Sequence, residues 1–599
     1  MRGAAVTEFE AGATTEGVPV APSLGAALQS ARVPIERNAL DRRVVVISMW
    51  AMLLAFVTGF VAQALVGLIG LITNIAFYGR FSTAFTSPAG NHLGLLVIGV
   101  PVIGGLIVGV MARYGSKAIR GHGIPEAMEQ VLLNESRIPA RVTFLKPLSA
   151  AISIGTGGPF GAEGPIIATG GALGSLAGQL LRTTPSERKT LLAAGAAAGM
   201  AATFGSPVSA VLLAIELLLF EFRPRSIVPV ALASATATAV RVLYVGTEPI
   251  FAMPLLARPN GEALAMYALL GALIGWLSVY VTRAVYWIED LFEKLPVHWM
   301  WWPALGGIAV GVVGYFAPRT LGVGYTNIEG LVAGTITGKV VLFLCLMKFF
   351  SWSISLGSGT SGGTLAPLFT IGGATGVALG ELIAHQWPGS GIDPRICALV
   401  GMAAMFAGAS RALLASVVFA FETTLQPMGL LPLLAGCTAG FLVSALLMRN
   451  TIMTEKLARR GVRVPMEYAA DFLDQISIAT ACSSNVVTLR ADSLLGDAGA
   501  VLDTHQGFPV VDEKQRLLGV VTRRDFLGKP ATTRVGDLIT RPPSVIFPDM
   551  SLREAADHMV RENVGRLPVV SRAHPQQLVG IITRSDLLAA HERRLREEG

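Results

Sequence analysis

From Val44 to Tyr78 the chain runs "VVVISMWAMLLAFVTGFVAQALVGLIGLITNIAFY" without one charged side chain. About 20 apolar residues suffice to cross the hydrocarbon of a bilayer. Further apolar runs, separated by short polar breaks, continue to about Arg449. Lipid offers no hydrogen bonds, so each spanning backbone must satisfy its own polar groups, and helices do this. The whole chain is 52% hydrophobic and 15% charged, where soluble domains carry about 25% charged residues. These features predict a polytopic helical membrane domain.

The net charge of +7 fits the flanks of spans better than a nucleic-acid surface. Arg42-Arg43, Arg188-Lys189, Arg223–Arg225 and Arg459-Arg460 sit in the polar breaks. By the positive-inside rule they place both termini in the cytoplasm, with the protein multi-pass in the cell (inner) membrane. No basic stripe with interleaved aromatics occurs, so nucleic acid is not an expected partner. Residues 1–38 hold Glu8, Glu10 and Glu16 among Ala, Gly, Thr and Pro, with no apolar signal-peptide core. They read as a disordered cytoplasmic tail. Cys345, Cys397, Cys437 and Cys482 form no C-x-x-C pair and read as small core residues.

Within the membrane region the chain repeats itself at an offset of 202. "ISIGTGGPFGAEGPIIATGGALGSLAG" (Ile152–Gly178) aligns without gaps to "ISLGSGTSGGTLAPLFTIGGATGVALG" (Ile354–Gly380), with 11 of 27 positions identical, seven of them glycine. Gly199-Met200-Ala201-Ala202 and Phe204 return as Gly401-Met402-Ala403-Ala404 and Phe406. Two such halves suggest a transporter built from structural repeats. Gly/Pro interruptions at matching places mark broken helices whose ends meet near the midplane. Unpaired N–H groups at a helix N-terminus attract an anion, so two such termini can converge on one. The competing reading is that these glycines only allow helices to pack closely.

Glu163 is the one acid in that first Gly-rich stretch. An ionised carboxylate inside a membrane costs several kcal/mol unless compensated. At a helix N-terminus it occupies the site an anion would take. It would then compete with the ion and leave on protonation, acting as gate and proton carrier. The plainer reading is an acid that caps the helix amides; both can hold together.

Here the chain resembles the CLC family of chloride channels and chloride/proton exchangers. "GHGIPE" (Gly121–Glu126), "GAEGP" (Gly161–Pro165), "GGTLAP" (Gly362–Pro367) and "LGVGYTNI" (Leu321–Ile328) carry the match, which extends over roughly Arg42–Gly461. The resemblance implies a CLC fold: an all-α polytopic domain of two inverted repeats with broken helices. It implies a homodimer with a separate anion path in each subunit. It makes Glu163 the gate and assigns the anion to the backbone of Gly123, Ala162, Gly164, Thr364 and Leu365.

Several positions depart from the family pattern. His122 stands where a serine is usual, and Met453 where a tyrosine aligns. Histidine still donates a hydrogen bond and methionine cannot, so the inner side of the site reads as looser. His122 as a helix-start residue bonded to backbone is the alternative. Leu217 replaces the acid that receives cytoplasmic protons in many exchangers, beside a retained Glu216. Glu216 and its counterpart Glu422 read as structural acids bonded to backbone. Glu221 reads as structural or interfacial, with a proton-receiving role as the alternative. Ala162 removes an arginine charge near the outer entrance.

After Gly461 the composition changes to short β-branched strands and helical stretches. Gly519-Val520-Val521-Thr522-Arg523-Arg524-Asp525 repeats as Gly580-Ile581-Ile582-Thr583-Arg584-Ser585-Asp586, and "FPVV" repeats as "LPVV". This resembles a tandem pair of α/β CBS domains. The resemblance implies an adenine nucleotide between the copies, with Thr522, Asp525, Thr583 and Asp586 contacting phosphate and ribose. The alternative is a strand-to-helix turn that these residues cap. No other cofactor and no metal is expected.

The predicted boundaries are a tail at 1–38, the transport domain at 39–461, and CBS domains at 471–530 and 535–596. An intramembrane zinc protease would need H-E-x-x-H, which is absent. A magnesium channel would need clustered oxygen ligands, and the acids are scattered. The reading is therefore a non-enzymatic, voltage-gated-type chloride transport protein, channel-like or weakly proton-coupled, with CBS regulation. The alternatives are a chloride/proton antiporter and a fluoride or nitrate carrier of the same type.

Overall fold

The uncharged runs become helices, and the glycine-rich breaks become the places where helices stop. The computed structural model describes residues 42–181, 183–462, 464, 473, 476–498, 505–574 and 576–598. The expected tail at 1–38 lies outside the described residues. Contacts divide the chain into a unit between Ala39 and Tyr468 and another that includes Ala469–Gly599.

The first unit is helical. Its first repeat holds α1 (Arg42–Tyr78), α2 (Gly99–Tyr114), α3 (Ile124–Leu133), α4 (Ala140–Gly155), α5 (Glu163–Leu180), α6 (Pro185–Phe204), α7 (Pro207–Ala214) and α8 (Pro224–Val245). The second holds α9 (Gly261–Glu293), α10 (Trp302–Phe316), α11 (Tyr325–Ala333), α12 (Lys339–Gly357), α13 (Leu365–Gln386), α14 (Pro394–Ser410), α15 (Leu413–Thr424) and α16 (Leu430–Leu447), and α17 (Glu455–Arg459) follows. Each helix of the first repeat has its counterpart eight places on. The packing matches as well: α5 lies on α6 as α13 lies on α14, and α1 on α8 as α9 on α16. Among the described residues eight helices are long and apolar enough to cross a membrane, and the protein is a multi-pass membrane protein.

Two breaks position the site. Helix α4 ends at Gly155 and α12 at Gly357, and each is followed by a short loop before the next helix. Gly157 (φ 101°) and Gly359 (φ 78°) take the left-handed region at corresponding points of the two loops, where a side chain would be strained. Pro165 and Pro367 lie in the first turns of α5 and α13, where a missing N–H costs nothing. Glu163 is the first residue of α5 rather than the end of the preceding turn.

The second unit contains two short sheets. Strand β1 (Leu489–Arg490) pairs parallel with β2 (Gly507–Val511), which pairs antiparallel with β3 (Leu517–Thr522). Helix α18 (Arg523–Phe526) follows directly. In the second copy α19 (Leu552–Arg561) precedes β4 (Arg566–Val570), which pairs antiparallel with β5 (Leu578–Thr583), followed by α20 (Arg584–Glu598). Every second position of β3 (Leu517, Gly519 and Val521) is buried, as a half-buried strand requires.

Candidate anion site and gate

The two broken loops meet through their backbones. Gly161 N–H donates to Gly363 C=O (3.2 Å) and Gly363 N–H donates to Gly161 C=O (2.9 Å). This pair joins the start of α5 to the start of α13. The Gly121 loop joins them, since Gly362 N–H donates to Gly121 C=O (3.4 Å). His122 packs its carbonyl against Gly164, and Gly123 (φ 96°) lies against Gly164 and Ala168. The residues His122, Gly123, Ala162, Gly164 and Thr364 are all buried. The structure thus brings the α3, α5 and α13 starts to one place.

Glu163 is 1% exposed. Its carboxylate folds back over the joined loops: a Cβ added at Gly363 would stand 2.7 Å from Glu163 Oε2. Glycine at 161 and 363 therefore makes the room that the carboxylate fills. Oε1 accepts from the Tyr325 hydroxyl (3.4 Å), Oε2 makes no hydrogen bond of ordinary geometry among the described residues, and the Ala366 N–H at the start of α13 lies against the carboxylate. The Thr364 and Leu365 N–H groups donate to no group among the described residues. An orphaned buried acceptor beside unpaired buried donors is costly, and an anion or a water satisfies such donors.

His122 is 2% exposed, and neither ring nitrogen has a hydrogen-bond partner among the described residues. The ring lies close to the Ile452 backbone and to the charged groups of Glu126, Lys146 and Lys456. Met453 is fully buried and its N–H donates to Thr451 Oγ1 (3.2 Å). The adjoining Ile452 is fixed by its N–H to Ala409 C=O (2.9 Å) and by the Tyr286 hydroxyl donating to its carbonyl (2.8 Å).

Two lysines escaped the sequence reading. Lys146 Nζ donates to the carbonyls of Ile119 and Gly121 (both 2.8 Å). Lys348 Nζ donates to those of Thr320 (3.1 Å) and Gly322 (3.4 Å). Both are fully buried, and each ties down the loop that leads into α3 or α11. The signal was present, because 146 and 348 differ by the same offset of 202.

The acids read as structural are so. The Glu216 carboxylate accepts from the N–H groups of Leu414 and Ala415 (both 3.0 Å), capping α15. Glu422 accepts from Val208 and Ser209 (both 2.9 Å), capping α7. Leu217 is buried in a π turn at Ile215–Leu219. Glu221 pairs with Lys189 (3.2 Å) and accepts from Ser226 Oγ (2.6 Å).

In the second unit Asp525 Oδ2 accepts from both the N–H and the hydroxyl of Thr522, and Asp586 Oδ2 does the same with Thr583, all at 2.7 Å. The first pair forms the capping box of α18, and the second stands at the corresponding place before α20. The four residues engage one another within each copy.

Two inverted repeats whose broken helices turn unpaired amides toward one buried point define an anion-transport architecture. Residues 104–445 match the family described as voltage gated chloride channel, and residues 477–531 and 535–593 match the CBS domain. The chain belongs to the voltage gated chloride channel family. It is 28% identical over 560 residues to "Chloride channel protein CLC-f" of Arabidopsis thaliana, covering 79% of this chain and 70% of that one. It is 30% identical over 363 residues to "H(+)/Cl(-) exchange transporter ClcA" of Yersinia pestis, covering 58% and 74%. Among solved structures it resembles a slow cyanobacterial Cl-/H+ antiporter in fold, with TM-score 0.63, 23% identity, and 70% and 98% of the two chains covered.

Proposed function

We propose that the protein carries chloride across a cell membrane, along a separate path in each subunit of a homodimer, with Glu163 as the gate. The observation that carries this is the buried Glu163 carboxylate, turned back between the starts of α5 and α13 with Oε2 unpartnered. It stands where an anion would meet the free Thr364 and Leu365 amides. Anion and carboxylate therefore exclude one another, and gate movement opens the path. The backbone of Gly123, Ala162 and Gly164 lines the same place, with His122 and Met453 on its cytoplasmic side. The apolar Leu217 favours channel-like or weakly coupled flux, because no acid at that position takes up protons. The CBS pair lies in the cytoplasm and regulates, with Thr522, Asp525, Thr583 and Asp586 releasing their caps to receive an adenine nucleotide.

A second reading, chloride/proton exchange, is favoured by the exchange activity in the names of the Yersinia and cyanobacterial proteins. A fluoride or nitrate carrier is favoured by the unusual ligand set, with His122 and Met453 where a serine and a tyrosine are usual. Chloride efflux from proteoliposomes with simultaneous external pH recording separates them. Chloride flux without proton movement supports the channel-like reading. Uphill proton movement driven by chloride establishes exchange. Absence of chloride flux from folded dimers overturns both and leaves fluoride and nitrate.

A further inference from the structure

Helix α11 reaches across to the gate of the other repeat. Tyr325 is its first residue, after Gly324 in the left-handed region (φ 77°). The loop before it is held at three points. Lys348 takes the Thr320 and Gly322 carbonyls. Gly322 N–H donates to Gly157 C=O (3.0 Å), in the loop that leads to Glu163. Asn327 Nδ2 donates to Arg319 C=O (2.7 Å). The tyrosine ring meets Phe204 and Phe251 edge-on, with centroids 5.7 and 6.0 Å away. A ring fixed on so many sides presents its hydroxyl to a fixed point, and that point is Glu163 Oε1 at 3.4 Å.

We propose that Tyr325 is a latch on the gate: its hydroxyl holds the Glu163 carboxylate in the closed position and is released when the gate moves. The proposal rests on the reading of Glu163 as gate. A hydrogen bond to a charged acceptor is among the stronger ones, but this one is long for O–H···O. It therefore biases the closed position without locking it. The bond also crosses the pseudo-symmetry, since the latch comes from the second repeat and the gate from the first. The groups facing Glu163 from neighbouring elements are the Tyr325 hydroxyl on α11, the Lys348 ammonium on α12 and the Ala366 amide on α13.

The test is a double-mutant cycle on the full chain in proteoliposomes, read as chloride efflux against external pH. Tyr325→Phe keeps the ring contacts and removes only the hydroxyl. It is expected to raise flux by roughly three- to tenfold, the range for losing one such bond, chiefly at alkaline pH where the carboxylate is charged. In a Glu163→Ala background the same change is expected to leave flux and its pH profile unaltered. Equal gain in both backgrounds overturns the latch and makes Tyr325 a steric obstruction. No gain in either, while Glu163→Ala alone changes flux, overturns the latch and spares the gate. If Glu163→Ala changes nothing, the gate reading falls and the latch with it.

Discussion

Helices α5 and α13 begin at corresponding positions of the two repeats, one with Glu163 and the other with Leu365. The same contrast recurs at α3 and α11. Both follow a glycine in a positive-φ conformation, Gly123 or Gly324, and both have their preceding loop tied down by a buried lysine. Yet the first repeat places His122 and Ile124 there, where the second has Val323 and Tyr325. Lysines, cap acids and loop glycines are shared between the repeats, so they belong to the scaffold. The polar groups around the site are not shared. Two convergent helix starts belong to the repeated scaffold, and departure from symmetry places a buried acid, Glu163, on one of them.

Restoring symmetry at the site should have the largest effect. Leu365→Glu places a second acid among the same amides, and with it like-charge repulsion and several kcal/mol of burial cost. Chloride efflux is expected to fall by at least about tenfold; unchanged flux would mean that α13 does not face the anion. Next come the lysines. Lys146→Met and Lys348→Met each strand two loop carbonyls and remove charge-assisted bonds, costing about 2–3 kcal/mol. Thermal melts in detergent should show equal losses, and a clear inequality would break the claim of a shared scaffold. Glu216→Ala and Glu422→Ala should each cost about 1–2 kcal/mol as lost helix caps, again equally. The smallest effect is expected in the CBS unit, where Thr522→Val and Thr583→Val each remove a cap worth about 1 kcal/mol, read from the same melts.

The sequence showed the architecture because broken helices leave a glycine record. The gapless match of Ile152–Gly178 to Ile354–Gly380 located both helix starts, and the β-branched copies after Gly461 pointed to the CBS pair. Glu163 was legible because a lone acid in an apolar setting needs a reason. Tyr325 was not, although "LGVGYTNI" was noted as similar to the family. Its partner lies 162 residues away, and no local pattern signals a contact between repeats. The lysines carry no local signal, since only their matched loops reveal what they hold. Glu216 and Glu422 were recognised as bonded to backbone, but which backbone depended on how the repeats interlock.

That interlocking bears on how the chain is made. Glu216 caps a helix whose amides lie 198 and 199 residues further along. At about 5–20 residues per second of synthesis, the carboxylate waits roughly ten to forty seconds for them. The α7 start, emerging early, likewise waits for Glu422. During that interval the first half is in the membrane with an acid and a helix end that only the second half can satisfy. Each half is thus an unfinished client of the insertion machinery until the other arrives, and a nascent chain stalled between them is a substrate for quality control rather than a smaller transporter.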